Sequence, residues 1–123
     1  MIQVLWIALG GAIGAVLRYL MATGINAWIP VNFPIGTLLV NSLGCLIIGI
    51  VYSLLSTTPT YQTTLKPFLV IGILGGFTTF SSYAIETFQL AQTQQIMKAL
   101  LYIALSNFIG LASAWVGFKV FSA

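Results

Sequence analysis

The residues that could do chemistry are few, and most lie in one stretch. Gly72 to Glu86 reads GILGGFTTFSSYAIE and contains three glycines, the Thr78-Thr79 pair, Phe80, Ser81, Ser82, Tyr83 and the only acidic residue of the chain, Glu86. Glycines and adjacent β-branched threonines weaken a helix, so backbone carbonyls here are open to partners other than the next turn. The chain has no histidine and one cysteine, Cys45, so no acid pair, no nucleophile beside a base and no cysteine-based metal site can be assembled. An enzyme is not expected. What remains is a set of carbonyls, hydroxyls, one amide and two charges: Asn41, Thr79, Ser81, Ser82, Tyr102 and Ser106, with Arg18 and Glu86. Such a set is rich in donors and poor in acids, which suits an anion whose hydration must be replaced.

The elements that carry these residues are transmembrane helices. Of the 123 residues, 59% are hydrophobic and 4% charged, far too few charges to cover a soluble surface. Segments near 2–23, 35–55, 67–91 and 99–121 each reach the roughly 20 residues that cross a bilayer as a helix. They form one four-helix domain with an all-α fold, and the third helix is expected to break near its centre at Thr78-Thr79. The N-terminal apolar run lacks a positive leader and is followed by three more such runs, so it is expected to be a first helix rather than a secretory signal. Four scattered cations, Arg18, Lys66, Lys98 and Lys119, make no nucleic-acid footprint.

With the N-terminus on one side, Arg18 and Lys98 fall towards the opposite side while Lys66 and Lys119 fall towards its own. That balance gives no preferred orientation. It predicts insertion both ways round and an antiparallel, dual-topology homodimer. Small-residue spacings, Gly10 with Gly14 and Gly72 with Gly76, mark close helix contacts, either inside one subunit or between two.

Topology draws three costly polar residues into the same half of the membrane. Arg18 and Glu86 each sit about a turn and a half from a predicted helix end, and Asn41 lies deeper, roughly 6 Å from the centre of its segment. The expected arrangement is a vestibule with the charges at its mouth and Asn41 below. Arg18 either snorkels to the headgroups or pairs with Glu86. Tyr102 and Ser106, four residues apart, add hydroxyls on one face of the last helix. Phe80 and Tyr83 present ring edges, which are positively polarised, beside the predicted break.

Three stretches, GGAIGAVLRY (Gly10 to Tyr19), GTLLVNSLG (Gly36 to Gly44) and GGFTTFSS (Gly75 to Ser82), closely resemble the signature stretches of the CrcB/Fluc fluoride channel family. The resemblance covers essentially the whole chain. It implies a fluoride-selective channel that exports cytoplasmic fluoride by passive electrodiffusion through the membrane of a prokaryotic cell, with two pores per antiparallel homodimer. Carried over, Asn41 is the pore asparagine and Phe80 a pore phenylalanine, while Thr79, Ser81, Tyr102 and Ser106 supply hydroxyls along the fluoride path. Arg18 and Glu86 belong to the vestibule. The Gly75 and Thr78 carbonyls of both subunits would hold a structural sodium ion at the centre. Tyr83 departs from the family pattern, standing where a second phenylalanine is usual.

Another reading is a small multidrug-resistance-type exporter, also with four helices and dual topology, using Glu86 as its proton-coupled carboxylate. Such proteins resemble a pattern with the acid in the first helix, where this chain has Arg18. A purely structural membrane subunit would leave Asn41 and the predicted break without a role.

Overall fold

The computed structural model describes residues 1–122, and these are helical almost throughout. In chain order they form α1 (Ile2–Trp28), α2 (Ile35–Leu55), a π-helix (Tyr61–Leu74), the short α3 (Gly75–Phe77), α4 (Phe80–Gln92) and α5 (Ile96–Phe121). Four runs, Ile2–Trp28, Ile35–Leu55, Tyr61–Gln92 and Ile96–Phe121, are long and apolar enough to cross a membrane. The chain is a multi-pass, all-α membrane protein. Large apolar side chains such as Leu111 and Phe108 stand 74% and 80% exposed, as expected of surfaces that meet lipid.

The α2 boundaries coincide with those expected, because Pro34 precedes the helix and the polar run from Ser56 follows it. The other segments are longer. Instead of closing at Thr23, α1 runs on to Trp28, through Asn26, whose Oδ1 accepts the Gly36 N–H at 3.0 Å and so ties the end of α1 to the start of α2. The third span opens at Tyr61 rather than at Pro67, which lies inside the π-helix. In that wide register an N–H reaches the carbonyl five residues back, as Leu65 N does to Thr60 O at 3.2 Å. The last helix begins at Ile96 instead of Ala99. It follows a tight turn in which Gln94 takes a left-handed φ of 60°.

Two seams hold the bundle. Along the first, α1 lies against the π-helix and α3: a Cβ on Gly14 would meet the Ile73 carbonyl, and one on Gly76 would approach Gly11 O at 2.5 Å. Both GxxxG spacings are therefore used against each other within one chain. Along the second seam, α2 meets α5, with Gly49 on the Ala114 carbonyl and Gly117 on the Leu46 carbonyl. Direct backbone contact of this kind maximises van der Waals packing where lipid removes the hydrophobic drive for helices to associate.

Buried side chains are concentrated elsewhere. Leu38, Leu90, Ala99 and Tyr102 form one cluster, with Phe33, Tyr83, Ala91 and Leu105 packed around it. This cluster joins α2, α4 and α5 at the end of the bundle where α2 begins, α4 ends and α5 begins. It is the frame on which the polar residues are mounted.

Candidate ion pathway

Glu86 is held by two hydroxyls. Thr37 Oγ1 donates to one carboxylate oxygen at 2.7 Å and Tyr102 OH donates to the other at 2.7 Å. Thr37 is 6% exposed and Tyr102 fully buried, so the packing that forms the core cluster also aims both donors. Short hydroxyl-to-carboxylate bonds of this kind are the strong class, and they meet the cost of placing an acid among apolar helices.

One turn deeper on α2, Asn41 makes a reciprocal pair with Thr79. Its Nδ2 donates to the Thr79 carbonyl at 2.9 Å, and its Oδ1 accepts the Thr79 N–H at 2.7 Å. This pairing is open to Thr79 because the backbone is extended there: Thr78 has φ −81° and ψ 156°, and Thr79 has φ −148° and ψ 121°. Thr79 then caps α4, its Oγ1 accepting from Ser82 N at 3.1 Å. The Thr78 hydroxyl returns to Leu74 O at 2.8 Å, and its methyl lies against Gly44, where a Cβ would collide with it. A glycine at 44 is what lets the extended residues sit against α2.

Beside this pair lies a cavity of about 390 Å3, lined by residues of α2, the third span and α5 that include Asn41, Gly75, Thr78, Thr79, Tyr83 and Ser106. An aromatic series runs along its edge. Phe80 and Tyr83 ring centroids are 5.4 Å apart, Tyr83 and Tyr102 5.3 Å, and Tyr102 meets Phe33 edge-on at 5.5 Å. Phe80 is 79% exposed within the single chain. Ser81 is also exposed and sits 3.3 Å from Thr79 Oγ1, outside the cavity lining.

Arg18 does not pair with Glu86. Its Nε donates to Gly76 O at 3.0 Å, while both Glu86 oxygens are taken by Thr37 and Tyr102. Nor does it snorkel, because the extra length of α1 places it ten residues, about 15 Å, from the helix end. Gly76 belongs to the last turn before the extended residues, where carbonyls lose their helical partners and the helix dipole is negative. The guanidinium therefore sits beside the extended residues Thr78 and Thr79, and the Glu86 carboxylate is held without it.

The sequence matches the family model described as CrcB-like protein, Camphor Resistance (CrcB), over residues 5–118. The chain belongs to the CrcB family. Relatives include a protein of Flavobacterium psychrophilum, 45% identical over 93% of this chain and 92% of its own length. Another, from Magnetococcus marinus, is 42% identical over 96% of both, and one from Thermus thermophilus is 43% identical over 94% and 91%. Each of the three is named a fluoride-specific ion channel. As the family is one of ion channels, this member is not an enzyme.

In this CrcB chain the structure brings Asn41, Thr79, Tyr83, Ser106, Gly75 and Thr78 to one cavity and Glu86 and Tyr102 to a neighbouring hydrogen-bonded site. Sequence reasoning passed over Thr37. It lies four residues before Asn41, on the same face of α2, and that spacing was the available signal. Asn26 was missed as well, because an asparagine beside a proline-rich connection looks like a loop residue, and its partner is a backbone N–H ten positions on.

Proposed function

We propose that this chain is a fluoride channel working by passive electrodiffusion, in which a fluoride ion exchanges its hydration for hydrogen bonds from residues of the cavity and of the Glu86 site. The observation that carries this reading is the polar column through a membrane bundle: Thr37, Glu86 and Tyr102 at one end, then Asn41 with Thr79, then Ser106. The names of relatives that match nearly the whole chain supply the ion. Fluoride is small and tightly hydrated, so only donors at close quarters can replace its water. Tyr102 and Thr37 are such donors at the mouth, where Glu86 orients both hydroxyls. Asn41 keeps one amide proton beyond its bond to Thr79, and it faces the cavity. Ring edges of Phe80 and Tyr83 line the apolar stretch.

A second copy completes the site in this reading. Phe80 and Asn107 line the cavity and are exposed in a single chain, and although Asn107 Nδ2 donates to Ile103 O at 2.8 Å, its amide oxygen, in the middle of a membrane helix, calls for a protein partner rather than lipid. The balance of cations favours an antiparallel arrangement with two pores, in the cell membrane of a prokaryote. The interruption of the third span also offers a cation site. The Thr79 N–H, the helical partner expected for the Gly75 carbonyl, is given to Asn41, and Thr78 has left the helix, so the carbonyls of these two cavity-lining residues suit a hard, oxygen-seeking ion. Gly75 and Thr78 of two copies would hold sodium there, and the bound ion would supply a fixed positive charge that joins the copies.

The direct biological test is complementation. Cells deprived of their own fluoride export should grow in millimolar fluoride when this chain is expressed, and should stay sensitive when Asn41→Asp is expressed at the same level. Equal sensitivity with both would remove the fluoride reading.

A further inference from the structure

A second cavity shares one wall with the polar one. It measures about 280 Å3 and is walled by Leu17 and Met21 of α1, Leu43 and Ile47 of α2, and Ile73 and Phe77 of the third span, with no polar side chain in its lining. Leu74 lines both cavities. On α2 the two open on different faces: Asn41 and Cys45, which line the polar cavity, each stand two residues from Leu43, about 200° around the helix. The apolar gap lies where α1 and α2 are no longer tied. Asn26 bonds the Gly36 N–H, and a Cβ on Gly36 would meet the Ala22 carbonyl, whereas Gly10, Gly14, Gly44 and Gly49 lie against the third span or α5. Past that tie the residues facing the gap from α1 and α2 are large and apolar.

We propose that this groove is a binding site for a single acyl chain of a membrane lipid. A void with only apolar walls gives water no hydrogen-bond partner, so it stays dry and takes an apolar guest. Left empty, it deprives its lining of the contacts that a close-packed interior supplies. Four apolar spans set the groove in hydrocarbon, and Leu17 in its lining is 47% exposed, so the guest within reach is a lipid tail. At roughly 30 Å3 for a small group in a liquid, the volume holds about nine methylene groups. A second copy of the chain fits this groove less well, because the exposed polar residue that calls for one, Asn107, lines the other cavity. Position gives the lipid a role. Phe77 directly precedes the extended Thr78, and Leu74 O accepts both the N–H and the hydroxyl of Thr78, so a chain in the groove packs against the residues that hold the interruption in place. This site depends on the membrane fold alone and stands whatever ion the protein conducts.

The test is photolabelling of the natural protein in vesicles of phosphatidylcholine that carry a trace of the same lipid with a diazirine on one acyl chain. The protein is moved into detergent, freed of loose lipid and then illuminated, and the labelled peptides are mapped by mass spectrometry. Peptides holding Met21 and Ile47 should carry about ten times the label of the peptide holding Leu111, which is 74% exposed on α5, a difference of one decade in affinity. Ile47→Trp, which fills the groove from α2, should lower the groove label about tenfold and leave the α5 label unmoved, in protein that elutes like the natural one by size exclusion. Leu17→Phe, at the more open wall, carries the same expectation should the first variant not fold. Equal label on the groove and on α5 would mean an ordinary lipid coat and would overturn the site. An unlabelled groove in folded protein would leave it to a second copy or to no guest, and would overturn the site as well.

Discussion

Along the two seams, α1 on the π-helix and α2 on α5, contact runs backbone to backbone through glycines. Along the column from Thr37 to Ser106 it runs through side-chain oxygens and nitrogens. Apart from Arg18 on Gly76 O, the glycine contacts of the seams have no polar side chain to place, and a glycine serves because it adds nothing between two helices. The column has the reverse requirement: Thr37, Glu86, Tyr102, Asn41 and Thr79 are each held by a partner at hydrogen-bond distance, either another side chain, as for Glu86, or a backbone freed by extended residues, as for Asn41, while Ser106 Oγ has none among the described residues. Seams therefore tolerate no added volume, whereas the column tolerates volume and not loss of a donor.

The largest effect is expected where a seam is filled. In Gly49→Leu the new side chain meets the Ala114 carbonyl, which cannot move without shifting α5. Overpacking at a tight site costs about 1–3 kcal/mol and at backbone contact more, so little folded protein should elute in detergent by size-exclusion chromatography. A normal elution profile would show that the seams are looser than the glycine contacts indicate.

Within the column, Asn41→Asp comes next. It replaces the amide donor with a fixed negative charge facing the cavity, and like-charge repulsion at an effective dielectric near 20 predicts on the order of a hundredfold less fluoride flux, with folding retained. Flux within twofold of the natural protein would take Asn41 out of the path. A smaller loss is expected for Thr37→Val, which removes one of the two bonds to Glu86 without changing volume much: roughly a tenfold fall in flux, from one hydrogen bond to a charged group. If Thr37→Val behaved as the natural protein while Tyr102→Phe did not, the carboxylate would be positioned by α5 alone. Phe80→Ile is the mildest, since it exchanges a ring edge for an alkyl chain and keeps an apolar wall, with a several-fold drop in throughput expected from the roughly 0.5–1.5 kcal/mol of an aromatic contact.

The contrast also explains which features are legible in the sequence. Helix number and the α2 ends follow from hydropathy and from Pro34, and the glycine spacings announce close contact, though only the coordinates show Gly10 and Gly14 meeting the third span of the same chain. Asn41 was legible because an amide so deep in an apolar run must have a partner. That partner was not, since it is the Thr79 backbone, and a backbone group leaves no side-chain trace. The same blindness hid Arg18: its mate is the Gly76 carbonyl, and an attractive ion pair with Glu86 stood in its place. Thr37 was hidden by its type, because most helical threonines bond their own helix, as Thr87 does to Tyr83 O at 2.7 Å. The α1 helix runs past the expected Thr23 because Asn26, which reads as part of the proline-rich connection, is held in helix by accepting the Gly36 N–H.

The central claim, that the column and cavity conduct fluoride, is tested most directly by halide efflux from liposomes containing purified protein, with a potassium ionophore clamping the voltage. Rapid loss of fluoride with chloride retained is the predicted result. Retention of both halides by protein shown to be folded and dimeric, or equal loss of the two, would contradict it.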